Sequence, residues 1–92
     1  MSEYITIETE ATDDPDVLII QTNQQLTLED EEVYLDAESG GGGSPLAQTL
    51  FEIKGVIALT FEGTDLIVTR HPDVEWPNLI DEISAALKDF FL

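Results

Sequence analysis

The sequence contains no cysteine and no long apolar run, and both absences limit what the chain can be. Without thiols there is no disulfide framework. No apolar run approaches the roughly 18 residues that a membrane-spanning helix needs. The first residues are acidic rather than basic, unlike a secretory signal. We therefore expect a cytoplasmic protein without a membrane partner.

Basic residues are also scarce. The 92 residues include 20 acidic side chains against three basic ones, for a net charge of −17, and twelve of the acids but no base lie in residues 1–38. Because nucleic acid binding requires a basic surface, we expect no nucleic acid partner. Three explanations of the acidity stay open: a solvated surface suited to high salt, a docking face for a basic protein, and a divalent-cation site.

Residues 44–55 carry the sequence signals of a helix with both ends marked. Ser44 is a favourable N-cap, and Pro45 suits the first helical position because its missing N–H costs nothing there. Apolar residues then recur at helical spacing. Gly55 is placed to end the helix in a left-handed conformation.

The next segment changes to the period of a β-hairpin. Ile57, Leu59 and Phe61 alternate with their neighbours, which predicts that these three side chains share one face of a strand. A turn at residues 62–64 then leads into a returning strand at 66–70.

Patterns in the first half of the chain also predict three strands. These are residues 4–9, residues 17–22 and a short edge strand at 33–36. The unbroken apolar start of the second strand favours burial on both of its faces. An Asp-rich turn at 10–16 and a Gly-rich flexible loop at 37–43, natural or engineered, connect the elements.

The last element is an amphipathic helix. Apolar residues from Trp76 to Phe91 fall on one stripe, and Pro77 is tolerable only in the first turn, so the helix should begin at about residues 74–76. The element order predicts a single α+β domain over residues 1–92, with an antiparallel sheet of about four strands and two helices packed on one face.

The motifs of the chain resemble the N-terminal domain of Nfu/NifU-type iron–sulfur scaffold proteins. The resemblance is carried by Ser44-Pro45-Leu46-Ala47, Leu50-Phe51, Gly55-Val56, Trp76 and, less closely, Thr12-Asp13-Asp14-Pro15-Asp16. In that family a Cys-x-x-Cys pair on a separate C-terminal domain binds the cluster. This sequence has no such pair, so the resemblance implies an accessory module that is not itself a cluster ligand.

Two acidic runs are the candidate binding residues. Asp13, Asp14 and Asp16 could chelate a hard cation, but the EF-hand positions for Gly and Glu hold Leu18 and Gln24, so an Asx-rich turn is the better interpretation. The second run consists of Glu29, Asp30, Glu31 and Glu32, which we interpret as a solvated loop because sequential acids do not converge by themselves. We expect both helices to use their apolar stripes on the sheet, so a protein partner should contact the opposite sheet face, the acidic loops that contain these two runs, or both, and we favour the loops.

No catalytic, cofactor-binding or metal-ligating residue is assigned. His71 is the only histidine and has no evident partner, and the glycine run at 40–43 lacks the Lys that follows it in a phosphate-binding loop. We therefore expect no cofactor and no enzyme. The predicted function is a protein-interaction role in iron–sulfur cluster assembly or delivery. The alternative is an acidic module that binds a basic protein or cations, including a mimic of nucleic acid charge. The oligomeric state stays open.

Overall fold

Eight short elements make up residues 5–91, the part of the chain that the computed structural model describes. They are β1 (Ile7–Ala11), β2 (Val17–Thr22), β3 (Glu32–Tyr34), α1 (Ala37–Gly41), α2 (Pro45–Phe51), β4 (Val56–Glu62), β5 (Asp65–Arg70) and α3 (Trp76–Phe91). The α+β class is confirmed, with five strands and three helices in place of the predicted four and two.

The five strands form one antiparallel sheet in the order β1-β2-β5-β4-β3. The β4–β5 hairpin lies within the sheet, and its turn contains Gly63 at φ 61°, a conformation that glycine adopts without steric cost. On one side of this hairpin β5 pairs with β2, and on the other side β4 pairs with β3. The first half of the chain therefore supplies strands to both edges of the sheet.

The helices cover one face of the sheet. Helix α3 buries Leu79, Ile83 and Leu87 completely, and α2 buries Leu50. These side chains join one core with the alternate residues of the central strands, which are Leu18, Ile20, Leu59, Phe61, Leu66 and Val68. No helix among residues 5–91 is long and apolar enough to cross a membrane.

Helix α2 begins where its sequence signals place it but ends early. The Ser44 side chain accepts a hydrogen bond from the Ala47 N–H at 3.3 Å, as expected of an N-cap. The helix ends at Phe51, with Glu52 as its C-cap. Gly55 does have a positive φ of 104°, but it belongs to the turn before β4, where the side chain of Val74 packs against it.

Residues 37–43 are not simply the loop that the glycine run suggested. Asp36 caps a one-turn helix, α1, by accepting a hydrogen bond from the Ser39 N–H at 2.7 Å. Gly40 within this helix is buried against the ring of Phe51. Residues 37–41 therefore form a packed helix although their composition is typical of a linker.

The start of β4 departs from the alternation that the sequence predicted. The register with β5 shifts between Val56 and Ala58, so a bulge at Ile57 interrupts the ladder. Val56 is buried beside the core residue Leu59, whereas Ile57 is 40% exposed. The prediction that Ile57 shares one face with Leu59 and Phe61 was wrong for this reason.

The boundaries of the outer strands also shift. Strand β1 runs from Ile7 to Ala11, later than the predicted 4–9, whose first residue lies outside the described part of the chain. Strand β3 begins at Glu32 and is only three residues long. In β2, Leu18 and Ile20 are buried while Val17 and Ile19 are only half-buried, so one face of this strand, not both, joins the core.

Candidate functional site

The Asp-rich loop before β2 is an Asx turn, as its sequence indicated. Asp14 Oδ1 accepts a hydrogen bond from the Asp16 N–H at 2.9 Å, and the Thr12 hydroxyl donates to the Val17 carbonyl at 2.9 Å. Asp13 and Asp14 are exposed. Among the described residues, no group of three His, Cys, Asp or Glu is placed to hold a metal ion.

Asp16 differs from its neighbours because it is engaged with the body of the protein. Its Oδ1 lies 3.2 Å from Nε of Arg70, an ion pair without hydrogen-bond geometry. The Arg70 guanidinium also donates to the Val74 carbonyl and lies 5.4 Å from the ring centre of Trp76. The Trp76 indole N–H in turn donates to the Pro15 carbonyl at 2.8 Å. This network fastens the Asp-rich loop to the start of α3.

The second acidic run divides in the same way. Glu29, Asp30 and Glu31 are exposed, but Glu32 opens β3 and accepts a hydrogen bond from the Tyr34 hydroxyl. Partial burial raises the pKa of Glu32, but hydrogen bonds from Thr27, Tyr34 and Ser44 outweigh it and hold the pKa below its usual value. Glu32 is therefore a structural carboxylate within the fold rather than part of a solvated loop.

The two acidic runs lie at opposite ends of the sheet. Val17, which follows the first run, pairs with Thr69 near the end of β5, whereas Glu32 pairs with Phe61 near the hairpin turn. Strands of six residues extend about 20 Å, so the runs are separated by roughly that distance along the strands. They are also separated across the sheet, since β5 and β4 lie between β2 and β3. The structure does not bring them together into one acidic patch.

Glu32 and His71 each line a surface depression. A groove of about 430 Å³ is lined mainly by apolar side chains, including Leu28, Pro45 and Phe90, and Glu32 also lines it. A second of about 540 Å³ contains His71 with Lys54 and Asp73 on its walls. His71 is half exposed, and its Nδ1 accepts a hydrogen bond from the Asp73 N–H at 3.1 Å, which is an ordinary loop contact.

The sheet face opposite the helices is the other surface that we expected to be free for a partner. We call it the open sheet face. Its centre is a row that crosses all five strands through the register partners Glu10, Ile19, Ile67, Thr60 and Val33. No helix or strand among residues 5–91 packs over it, since the core and the side chains packed against it belong to the other face and the helices. The signal for this face was the apolar start of β2, which we had interpreted as burial on both sides.

Comparison with known proteins gives the family. The family model described as "Scaffold protein Nfu/NifU N terminal" matches residues 7–92. The chain belongs to this family. Among curated relatives of the Nfu/NifU type, NifU-like protein 4, mitochondrial, of Arabidopsis thaliana is 32% identical over 85 residues, which cover 92% of this chain and 30% of that protein.

A second relative is named for its role. The NFU1 iron-sulfur cluster scaffold homolog, mitochondrial, of Drosophila ananassae is 37% identical over 49 residues, which cover 53% of this chain and 17% of the relative. The chain thus spans less than a third of the length of these curated relatives.

The solved structures agree with the family fold. The solution structure of a NifU-like protein from Saccharomyces cerevisiae superposes with a TM-score of 0.78 at 24% identity, and covers 97% of this chain and 82% of that one. At this identity the likeness supports the Nfu N-terminal fold and no more.

Proposed function

We propose that this domain is a protein-interaction module that serves iron–sulfur cluster assembly or delivery without binding the cluster itself. Its membership of the Nfu/NifU N-terminal family carries the first part of the proposal. The absence of any cysteine from the sequence supports the second part, because biological iron–sulfur clusters are held by thiolates. Under this proposal the cluster is bound by another domain or protein, and this chain performs no reaction.

The exposed acids provide a means of attracting a partner. Of the seven acids first considered, Asp13, Asp14, Glu29, Asp30 and Glu31 are exposed, whereas Asp16 and Glu32 make internal contacts. We propose that the exposed members steer a basic partner toward the domain, an effect that raises association rates and weakens in salt. A cytoplasmic location also stays a prediction, and the relatives described above carry names that place them in mitochondria.

The non-ligand role is tested by anaerobic reconstitution of the purified chain with iron and sulfide. We expect a colourless protein without stoichiometric iron after desalting. A stable visible absorption band that scales with protein concentration would contradict this part of the proposal.

The interaction role is tested by measuring association with the cluster-assembly and cluster-carrying proteins of the same cell. We expect at least one to bind, and we expect a variant with Glu29, Asp30 and Glu31 changed to Lys to associate more slowly. A matched control changes Asp81, Glu82 and Asp89 to Lys, because these three acids are exposed on α3. If none of the proteins binds, the proposed function is wrong. If the two variants associate equally slowly, only the steering role of the 29–31 acids is wrong.

A further inference from the structure

We propose that the open sheet face is the docking surface for a basic amphipathic helix of a partner protein. The helix would lay an apolar stripe on the centre of the face and place Lys or Arg side chains against its acidic margins. The proposal deepens the interaction role proposed above and rests on it, but its test does not depend on finding a cluster-assembly protein.

The centre of the open sheet face is apolar and has no cover among the described residues. Ile19 and Ile67 are register partners on the adjacent strands β2 and β5, and Val17 lies two residues before Ile19 on the same face. All three are half-buried by their neighbours within the sheet, whereas Ile20 and Leu66 on the other face are fully buried beneath the helices. On the β3 edge, beyond Thr60, Val33 adds a further apolar side chain, which is 49% exposed. An uncovered apolar surface of this kind gains free energy when a partner removes it from water.

The margins of the same face are acidic on two sides. Glu8 and Glu10 on β1 alternate with the residues that face the helices, and their register partners are Gln21 and Ile19. At the hairpin end, Asp65 and Glu62 are register partners and point to the same side. The face therefore combines an apolar centre with four carboxylates.

No basic side chain balances these carboxylates on the open sheet face. Arg70 pairs with the buried Val56 at the end of β5 and engages Asp16 and Trp76 on the covered side. The other two basic residues, Lys54 and Lys88, lie outside the strands. Charge complementarity therefore calls for a partner with basic side chains around an apolar stripe.

The backbone of the sheet decides the form of that partner. The N–H and C=O groups of β2, β5 and β4 are engaged in ladders on both sides of each strand, so an extended segment lying on the face would find no hydrogen-bond partners. A helix satisfies its own backbone and can dock through side chains alone. A second copy of this chain is disfavoured, because each copy would bring the same four carboxylates and a net charge of −17.

The test is an NMR titration of the isotope-labelled chain with synthetic helical peptides of about 15 residues. One peptide carries a Leu stripe flanked by Lys, a second has Glu in place of Lys, and a third scrambles the first so that the stripe is lost at equal charge. We expect only the first to bind, with amide shifts concentrated in residues 17–21, 58–60 and 65–69. Its affinity should fall as NaCl rises and the Debye length shortens from about 30 Å at 0.01 M to about 3 Å at 1 M.

Matched variants separate the open sheet face from the rest of the surface. Changing Ile19 and Ile67 to Thr removes apolar area but keeps residues that favour strands, and we expect binding about tenfold weaker. The control changes Leu28 and Phe90 to Thr, since these side chains are 95% and 44% exposed and line the groove beside Pro45, and it should bind as the parent does.

A second pair of variants tests the acidic margins and does not depend on the Ile variant folding. Glu10→Gln with Asp65→Asn should weaken binding, whereas Asp81→Asn with Glu82→Gln on α3 should not.

Several outcomes would overturn the proposal. These are shifts confined to the groove around Leu28 and Phe90, equal binding of the scrambled peptide, no binding by the Leu–Lys peptide, or an effect of the control variants as large as that of the variants on the face. Sedimentation that shows a dimer of the free chain, lost on changing Ile19 and Ile67, would assign the face to a second copy instead. None of these results decides whether cluster-assembly proteins bind. The open sheet face can therefore be the wrong docking surface while the proposed function stands.

Discussion

The carboxylate of Glu32 links strand β3 to the start of α2. It accepts a hydrogen bond from the Tyr34 hydroxyl. The oxygen of that hydroxyl in turn accepts a hydrogen bond from the Ser44 N–H at 3.2 Å, where α2 begins. The Tyr34 ring packs edge-on against Phe51 and Phe61. The sequence placed Glu32 in a solvated run because its neighbours are acidic, and only the pairing of β3 with β4 turns it toward these donors.

This arrangement predicts a specific effect of pH. Because hydrogen bonds lower the pKa of Glu32 in the folded state, its contribution to stability is fully present above its unfolded pKa of about 4.3 and is lost as pH falls through the folded value. Because solvent screens a carboxylate that is only partly buried, Glu32→Gln should reduce the free energy of unfolding by at most about 1 kcal/mol at pH 7. The deficit should shrink toward pH 3.

Denaturant titrations of the variant and parent at several pH values measure this difference. The general charge repulsion is common to both proteins and largely cancels. Glu31→Gln, at the exposed neighbour, should show little deficit at any pH. A deficit for Glu32→Gln that stays constant from pH 7 to pH 3 would show that the carboxylate's charge is not what stabilises the site.

At the scale of elements, sequence patterns predicted the long and regular parts and missed the short ones. Helix α3 begins at Trp76 as expected, because 16 residues give a clear helical period and Pro77 limits where the helix can start. Helix α1 has only five residues, and its glycine run led us to interpret the segment as a loop. The bulge at Ile57 could not be predicted, since a bulge is defined by the strand opposite it.

Helix α1 allows a comparison between two adjacent glycines. A Cβ on Gly40 would lie 2.0 Å from the Phe51 ring, whereas a Cβ on Gly41 meets nothing within 4 Å. Gly40→Ala should therefore be destabilising, by about 1–3 kcal/mol as overpacking costs. Gly41→Ala should be neutral or stabilising by up to about 1 kcal/mol, because alanine loses less backbone entropy in a helix.

Thermal or denaturant unfolding of the two variants measures the contrast. Equal stabilities would mean that residues 37–43 behave as the flexible loop that the composition suggested. A large loss for Gly40→Ala alone would show that the glycine run is part of the packed fold.

At the scale of the molecule, the sequence predicted the fold class and the hairpin but not the arrangement of the candidate site. Local alternation and turn residues were enough for β4 and β5. The separation of the two acidic runs and the set of residues on the open sheet face depend on the strand order and the pairing of β2 with β5, which are long-range. No local pattern in a single sequence specifies such pairings.

The net charge of −17 predicts that stability depends on salt. Among the described residues Arg70 is the only Lys or Arg within ion-pair distance of a carboxylate, so most carboxylates have no cation beside them. Screening of their mutual repulsion should raise the melting temperature as NaCl or KCl increases from about 0.01 M to about 1 M. Scanning calorimetry in the two salts measures this, and a flat melting temperature in both would mean that repulsion contributes little to the stability.

The strand order also decides when each strand can find its partner as the chain is made. Among the strands that the structure describes in residues 5–36, only β1 and β2 are neighbours, because the second neighbour of β2 is β5 and the neighbour of β3 is β4. A two-stranded hairpin alone is at best marginally stable in water. A growing chain therefore has little stable structure until residues 56–70 have emerged, and the β4–β5 hairpin is then the template to which both edges of the sheet are added.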